Sequence, residues 1–229
     1  MNNFRAVIFD LFYTLINPLA PRYMNENEYQ VLGMTGEEFE KYNARDYSVR
    51  ACGGIKDPYE MCAHILRGLP FSREIIRKAA GARLERIRRG LFGIEEKNLA
   101  LLRRLREAGV KTALLSNADI ADIWHWKDCP LSACFDETVF SFYAGCLKPD
   151  PQIYRIVLDK LGLPPSACLY VGDGGHSELK GAQEVDMTTV LTTEYIVNLW
   201  PQKIPVLIGQ SDHVITKIED IERIAFNPQ

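Results

Sequence analysis

Three apolar runs in this chain stop in the same way. Ala6-Val-Ile-Phe9 ends at Asp10, Thr112-Ala-Leu-Leu115 at Ser116-Asn117, and Cys168-Leu-Tyr-Val171 at Gly172-Asp173. Short runs this apolar suit strands of a parallel sheet, covered on both faces. Parallel strands finish on one edge, where open α/β sheets place their ligands. Taken singly, a polar stop is ordinary turn chemistry. Three together predict a crevice, which a core alone does not require.

The rest of the chain alternates strand and helix. Further strands are predicted at 135–140, 187–191 and 212–215. Glu95 to Ala108 reads as an amphipathic helix with Leu99, Leu102 and Leu105 inward and Gly109 as its stop. Pro151 opens another helix, and others follow at 178–184 and 217–225. Such alternation predicts a three-layer, Rossmann-like α/β sandwich with a mostly parallel sheet. Residues 192–210 show no clear period and are expected to be an irregular segment, at a partner surface or lining the site.

Residues 17–89 interrupt this pattern. They hold no convincing strand but several helix starts: Thr35-Gly-Glu-Glu38, Asp57-Pro58 and Ser72. The expected division is a core of 1–16 and 90–229 and an all-helical domain of 17–89. The last of these helices carries Arg73, Arg77, Lys78, Arg83, Arg86, Arg88 and Arg89. It reads as a solvated face, or as a surface for an acidic partner or polyanionic substrate edge. Arg45 and Arg50 precede Gly53-Gly54, a break that places them on a loop. An arginine there is either a surface residue or a fork for a substrate carboxylate or phosphate. His125, between two tryptophans, reads as a packed helix residue.

Composition narrows the function classes. The 229 residues carry a net charge of -3 and 47% apolar residues, so no global basic field invites nucleic acid. No apolar run approaches the ~20 residues of a membrane-spanning helix. The chain opens on a strand pattern rather than a basic stretch, apolar leader and cleavage site. Six cysteines lie scattered without a C-x-x-C pair, which argues against zinc or a disulfide framework. The expectation is a cytoplasmic protein, without nucleic acid or membrane, as a monomer or homodimer.

The polar stops match a known pattern. Asp10-Leu-Phe-Tyr-Thr14, Ser116-Asn117, Lys148 in Leu-Lys-Pro-Asp-Pro151, and Gly172-Asp173 with Glu178 occur in the order of the four motifs of the haloacid dehalogenase (HAD) superfamily, which the chain resembles. The resemblance implies that the helical insertion is a cap over the site. It implies Asp10 as nucleophile, Lys148 steadying it, and Ser116 with the Asn117 amide holding a substrate oxygen. It further implies Mg²⁺ on Asp10, Asp173 and the Phe12 backbone carbonyl. Glu178 would ligate through water or orient Lys148.

Phe12 departs from the phosphatase pattern. Most phosphatases of the family carry there an aspartate that protonates the leaving oxygen, a contribution of ~10² to 10⁴-fold. An aromatic residue at this substrate-facing position is what 2-haloacid dehalogenases have, although their glycine before Thr14 is here Tyr13. Three functions follow: a Mg²⁺-dependent phosphatase of a small metabolite, a 2-haloacid dehalogenase-like hydrolase, or a catalytically weak binding protein on the same fold.

Overall fold

The computed structural model describes residues 4–24 and 26–226. The strands are β1 (Ala6–Phe9), β2 (Lys111–Ser116), β3 (Glu137–Phe140), β4 (Cys168–Gly172), β5 (Thr188–Thr192) and β6 (His213–Ile215). They form one sheet in the order β3-β2-β1-β4-β5-β6, parallel throughout. The chain leaves β1 for β2 on one side and reaches β4 on the other. The ends of β1 and β4 therefore flank a topological switch point, where the strand connections diverge and leave a crevice.

The pleat sends alternate residues to opposite faces. Val7, Phe9, Leu114 and Val171 enter one apolar layer, with Leu101, Leu102 and Leu105 of the helix over Glu96–Glu107. Ala6, Ile8, Leu115 and Tyr170 enter the other, with Ile153, Val157 and Leu161 of the helix over Pro151–Leu161. The result is the three-layer Rossmann-like sandwich.

In chain order the helices are α1 (Glu28–Val31), α2 (Gly36–Asn43), α3 (Tyr47–Ala51), α4 (Pro58–Ile65), α5 (Arg73–Phe92), α6 (Glu96–Glu107), α7 (Ile120–Ile123), α8 (Ser141–Ala144), α9 (Pro151–Leu161), α10 (Glu178–Gln183), α11 (Ile196–Leu199), α12 (Ile204–Ile208) and α13 (Ile221–Phe226). Helices α1–α5 form the helical cap. Thr35 caps α2 reciprocally with Glu38, Asp57 accepts from the amides of Tyr59 and Glu60, and Ser72 accepts from Ile75. Helix α5 runs unbroken through position 89, and Met61, Ile65, Leu84 and Ile87 of the cap join the apolar layer on the Phe9 face of the sheet.

Two readings change. Segment 192–210 is not irregular: it folds as α11, a 3₁₀ turn and α12. The basic helix is not a uniformly solvated face, because Arg83 and Arg86 are buried. Arg86 pairs with Glu28 of α1 and Arg83 with Asp119 and Asp122 of the core, so their acidic partners lie within the chain itself.

Candidate active site

Asp10 follows the last residue of the central strand, and its amide donates to Val171 O of β4 at 2.9 Å. That bond keeps the chain extended one residue past β1 and leaves the carboxylate at the crevice. Thr14 Oγ1 donates to Asp10 Oδ2 at 3.1 Å, fixing one carboxylate oxygen. The turn between them is tight. Tyr13 has φ 59, left-handed backbone that disfavours a side chain. Its amide donates to Ile16 O, and its ring packs edge-on against Trp200 at 4.8 Å between centroids. Phe12 is half-buried, pairs with Ile16 in an isolated bridge, and packs on the apolar core.

Lys148 comes from the loop before α9, and its ammonium is fully engaged. Nζ lies 2.6 Å from Asp10 Oδ1, 2.5 Å from Glu178 Oε2, 2.9 Å from Tyr170 Oη and 3.1 Å from Leu115 O. Its backbone is clamped by one side chain. Asn117 Oδ1 accepts from the Lys148 amide at 2.8 Å, and Asn117 Nδ2 donates to the Lys148 carbonyl at 3.0 Å. Ser116 is buried beside it, Oγ donating weakly to Asn117 O at 3.4 Å.

Across the switch point stand Asp173 and Glu178. Asp173 Oδ1 accepts from the Gly175 amide at 3.1 Å. Glu178 Oε1 accepts from the Gly174 amide at 3.1 Å, and Oε2 accepts from Tyr170 Oη at 2.6 Å. Gly172 makes room for this carboxylate: a β-carbon there would lie 2.1 Å from Glu178 Oε1. Sequence reasoning missed Tyr170. The signal was a hydroxyl in a wholly buried strand, where a polar group needs a partner.

Asp10, Asp173 and Glu178 each offer an oxygen within 4.8 Å of the others. Like charges at that spacing repel by about 3 kcal/mol per pair at an effective dielectric near 20. The cluster holds three carboxylates and one ammonium, which pairs with Asp10 and Glu178 but not Asp173, so ionised carboxylates leave two negative charges in excess. The site is also nearly dry, with Asp10 6% and Asp173 9% exposed. Burial first, then Glu178, pushes the Asp10 carboxyl up to about 6, against the pull of Lys148. Burial, Glu178 and Asp10 push Asp173 well above the usual range. Burial works against the charge of Lys148, yet Asp10 and Glu178 outweigh it and hold the ammonium above its ordinary range. Hard oxygen donors in anionic excess are the donor set a Mg²⁺ ion takes, so these residues fit that cation.

The two cap arginines are not brought to this cluster. Arg50 is fully buried, and its Nη atoms donate to Asn43 O at 2.7 Å and Arg45 O at 3.0 Å. With both Nη atoms engaged inside the cap and no exposed surface, this guanidinium has no fork left for a substrate, which corrects that alternative. Arg45 is exposed, its guanidinium 4.5 Å above the Tyr42 ring. At the loop between Asp173 and Glu178 the cap contributes Tyr47, stacked on His176 with centroids 5.6 Å apart. Burial, then Lys148, lowers the His176 pKa.

The parallel sheet, the crevice at its switch point and the helical insertion together define a Rossmann-like α/β domain with a helical cap. The chain belongs to the haloacid dehalogenase-like hydrolase family, whose model matches residues 4–186. Among curated relatives, it is 36% identical over 95 residues to bifunctional epoxide hydrolase 2 of Rattus norvegicus; the match covers 39% of this chain and 17% of the rat protein. Among solved structures it resembles a HAD family enzyme of Bacteroides thetaiotaomicron in complex with magnesium and inorganic phosphate. That likeness has a TM-score of 0.63 and 24% identity and covers 82% of this chain and 94% of the other. It also resembles an L-2-haloacid dehalogenase from Xanthobacter autotrophicus with chloropropionic acid covalently bound, with TM-score 0.63, 18% identity, and 96% and 98% covered. No helix among the described residues is long and apolar enough to cross a membrane.

Proposed function

We propose that this chain is a Mg²⁺-dependent hydrolase of a small phosphorylated metabolite, with Asp10 as nucleophile. One observation carries the reading: three buried carboxylates converge, and the one lysine among them pairs with only two, Asp10 and Glu178, an excess that only a cation or protons relieve. Asp10, Asp173 and the Phe12 carbonyl would hold the ion, with Glu178 bracing Lys148 from behind. When bound, the metal offsets the repulsion between a carboxylate and a phosphoryl group. Thr14 fixes Asp10 Oδ2 and Lys148 holds Oδ1, which orients the carboxylate for attack. Ser116 and the Asn117 amide take a substrate oxygen. The solved relative with magnesium and phosphate supports the same reading.

Phe12 selects among phosphates. A phenyl ring can neither protonate a leaving oxygen nor activate water, so substrates whose leaving group needs no proton are favoured, acyl phosphates first. A carbon electrophile is the second reading, supported by the aromatic residue at position 12; it needs no metal, and the acid surplus counts against it. The six free cysteines fit a reducing compartment, with the cytoplasm as the proposed location.

The test is turnover of acetyl phosphate, p-nitrophenyl phosphate and 2-chloropropionate, each with Mg²⁺ and with chelator. Mg²⁺-dependent phosphate release, faster from acetyl phosphate, is expected. Halide release independent of metal overturns the proposal in favour of the second reading. Silence toward all three leaves a binding protein. Phe12→Asp is expected to raise turnover of an alkyl monoester such as glycerol phosphate, whose leaving oxygen needs a proton, by ~10²-fold, the low end of what a general acid contributes.

A further inference from the structure

A second buried charged cluster lies where the cap meets the core, outside the proposed chemistry. Arg83 of α5 places Nη2 2.8 Å from Asp119 Oδ2 and 3.4 Å from Asp122 Oδ1. Arg50 of α3 places Nε 3.6 Å from the same Asp119 oxygen. Asn43, at the end of α2, gathers both arginines on its Oδ1, at 3.1 Å from Arg50 Nη2 and 3.0 Å from Arg83 Nη1. Asp119 also caps α7, accepting from the Ala121 amide at 3.0 Å. It stands two residues beyond Asn117, whose side chain clamps Lys148. The cap arginines thus grip the segment that carries the Ser116–Asn117 motif.

A second link crosses the same seam. The Ala118 amide donates to Ser141 Oγ at 3.0 Å, and Ser141 Oγ donates to Ala51 O of α3 at 2.7 Å. The backbones approach closely beside it: Gly53, with φ +80, leaves no room for a β-carbon, which would lie 2.5 Å from Phe142 O. Tyr47 of α3 meets His176 in the loop between Asp173 and Glu178. One short cap helix therefore touches the segments after β2, after β3 and after β4.

The geometry points to Asp119 as a positioning residue, held by Arg83 and Arg50, that sets the Ser116–Asn117 loop only when the cap is seated. With Asp10 only 6% exposed, a substrate enters by parting some of this surround. Parting the seam removes both the anion's partners and the Ser141 relay, so the loop that aligns Lys148 loosens while the site is open. Reseating restores it around the substrate. The ion pairing is off the chemistry; its effect passes through Asn117. The catalytic consequence rests on the function proposed above, whereas the mechanical one does not.

Hydrogen exchange read by mass spectrometry on the whole chain separates the two. Arg83→Met, a change in the cap, is expected to speed exchange of 116–122 in the core at least tenfold. Asp119→Asn, which keeps a capping oxygen for α7, is expected to speed exchange of 43–54 in the cap by a similar factor. The double variant is expected to be no faster than the faster single one. Arg83→Lys restores part of the protection. Arg88→Met, on the same helix but paired with Glu85 of that helix, changes neither segment. Faster exchange confined to the element that carries the substitution overturns the proposal. In turnover of acetyl phosphate with Mg²⁺, Asp119→Asn is expected to raise KM tenfold or more with a smaller change in kcat. Unchanged KM beside a lowered Tm makes the cluster a packing feature and likewise overturns it. A wild-type protein silent toward every phosphate sinks the proposed function but leaves the exchange experiment decisive for the latch.

Discussion

The crevice cluster and the seam cluster are both buried, both built from carboxylates and cations, and lie on the two sides of the Ser116–Asn117 segment. They differ in balance. The cluster of Asp10, Asp173 and Glu178 holds one cation, Lys148, paired with Asp10 and Glu178. Asp119 and Asp122 face two, Arg83 and Arg50. A buried charge is tolerated when it is paired and hydrogen-bonded. The seam meets its charges with its own residues, two cations to two anions, although the Nε atoms of Arg50 and Arg83 find no hydrogen-bond partner among the described residues. The crevice does not, and an unmet charge at a strand end is where perturbed carboxylates mark a functional site. Balance thus separates a cluster that holds the structure together from one prepared for a ligand.

The comparison breaks most visibly at Asp10. Asp10→Asn is expected to cut any turnover by at least about a thousandfold, as loss of a nucleophile does, while Tm holds or rises because a surplus anion is gone. A Tm fall of many degrees, with activity kept, would make the crevice cluster structural. Arg83→Met is the opposite case. Removing one partner from a buried, paired group costs about 3 to 5 kcal/mol, read as a shift in the midpoint of urea unfolding; a cost below about 1 kcal/mol would show the seam pairing to be incidental.

Metal sharpens the contrast further. Mg²⁺ at ~100 times its Kd stabilises by about 2.7 kcal/mol, roughly 5 to 10 °C in Tm for a chain of this size. Asp173→Asn is expected to lose most of that shift, whereas Asp122→Asn keeps it. An equal Mg²⁺ shift in both variants would place the ion elsewhere.

The smallest effect is a pH dependence at the seam. Burial first, and Asp119 second, push the Asp122 carboxyl up to about 6 from an ordinary 3.8. The folded state then binds a proton that the unfolded state has released, so stability falls as pH rises from about 4 through about 6. Asp122→Asn is expected to flatten that slope, by an amount of order 2 kcal/mol across the window. An unchanged slope would assign the pH dependence to other groups.

Much of the crevice was legible in the chain. Apolar runs that end in Asp10, Ser116-Asn117 and Gly172-Asp173 record it, because parallel strands must finish on a common edge. The helix starts at Thr35, Asp57 and Ser72 were legible for a local reason: capping oxygens act within three residues. Segment 192–210 was not, since α11 and α12 are too short for a helical period to emerge. Arg50 was misjudged because glycines nearby in sequence say nothing of what folds over a side chain.

Local pattern by itself determined the strands, the cap's helical nature and the residues at the strand ends, since periodicity and capping depend on neighbours a few positions away. The tertiary structure alone decided which charges meet. That Lys148 lies under Asp10 and Glu178, that Tyr170 joins them, and that Arg83 crosses to Asp119 all depend on contacts between residues distant in the chain. Coulomb energy depends on separation and burial, and neither is written in the order of residues.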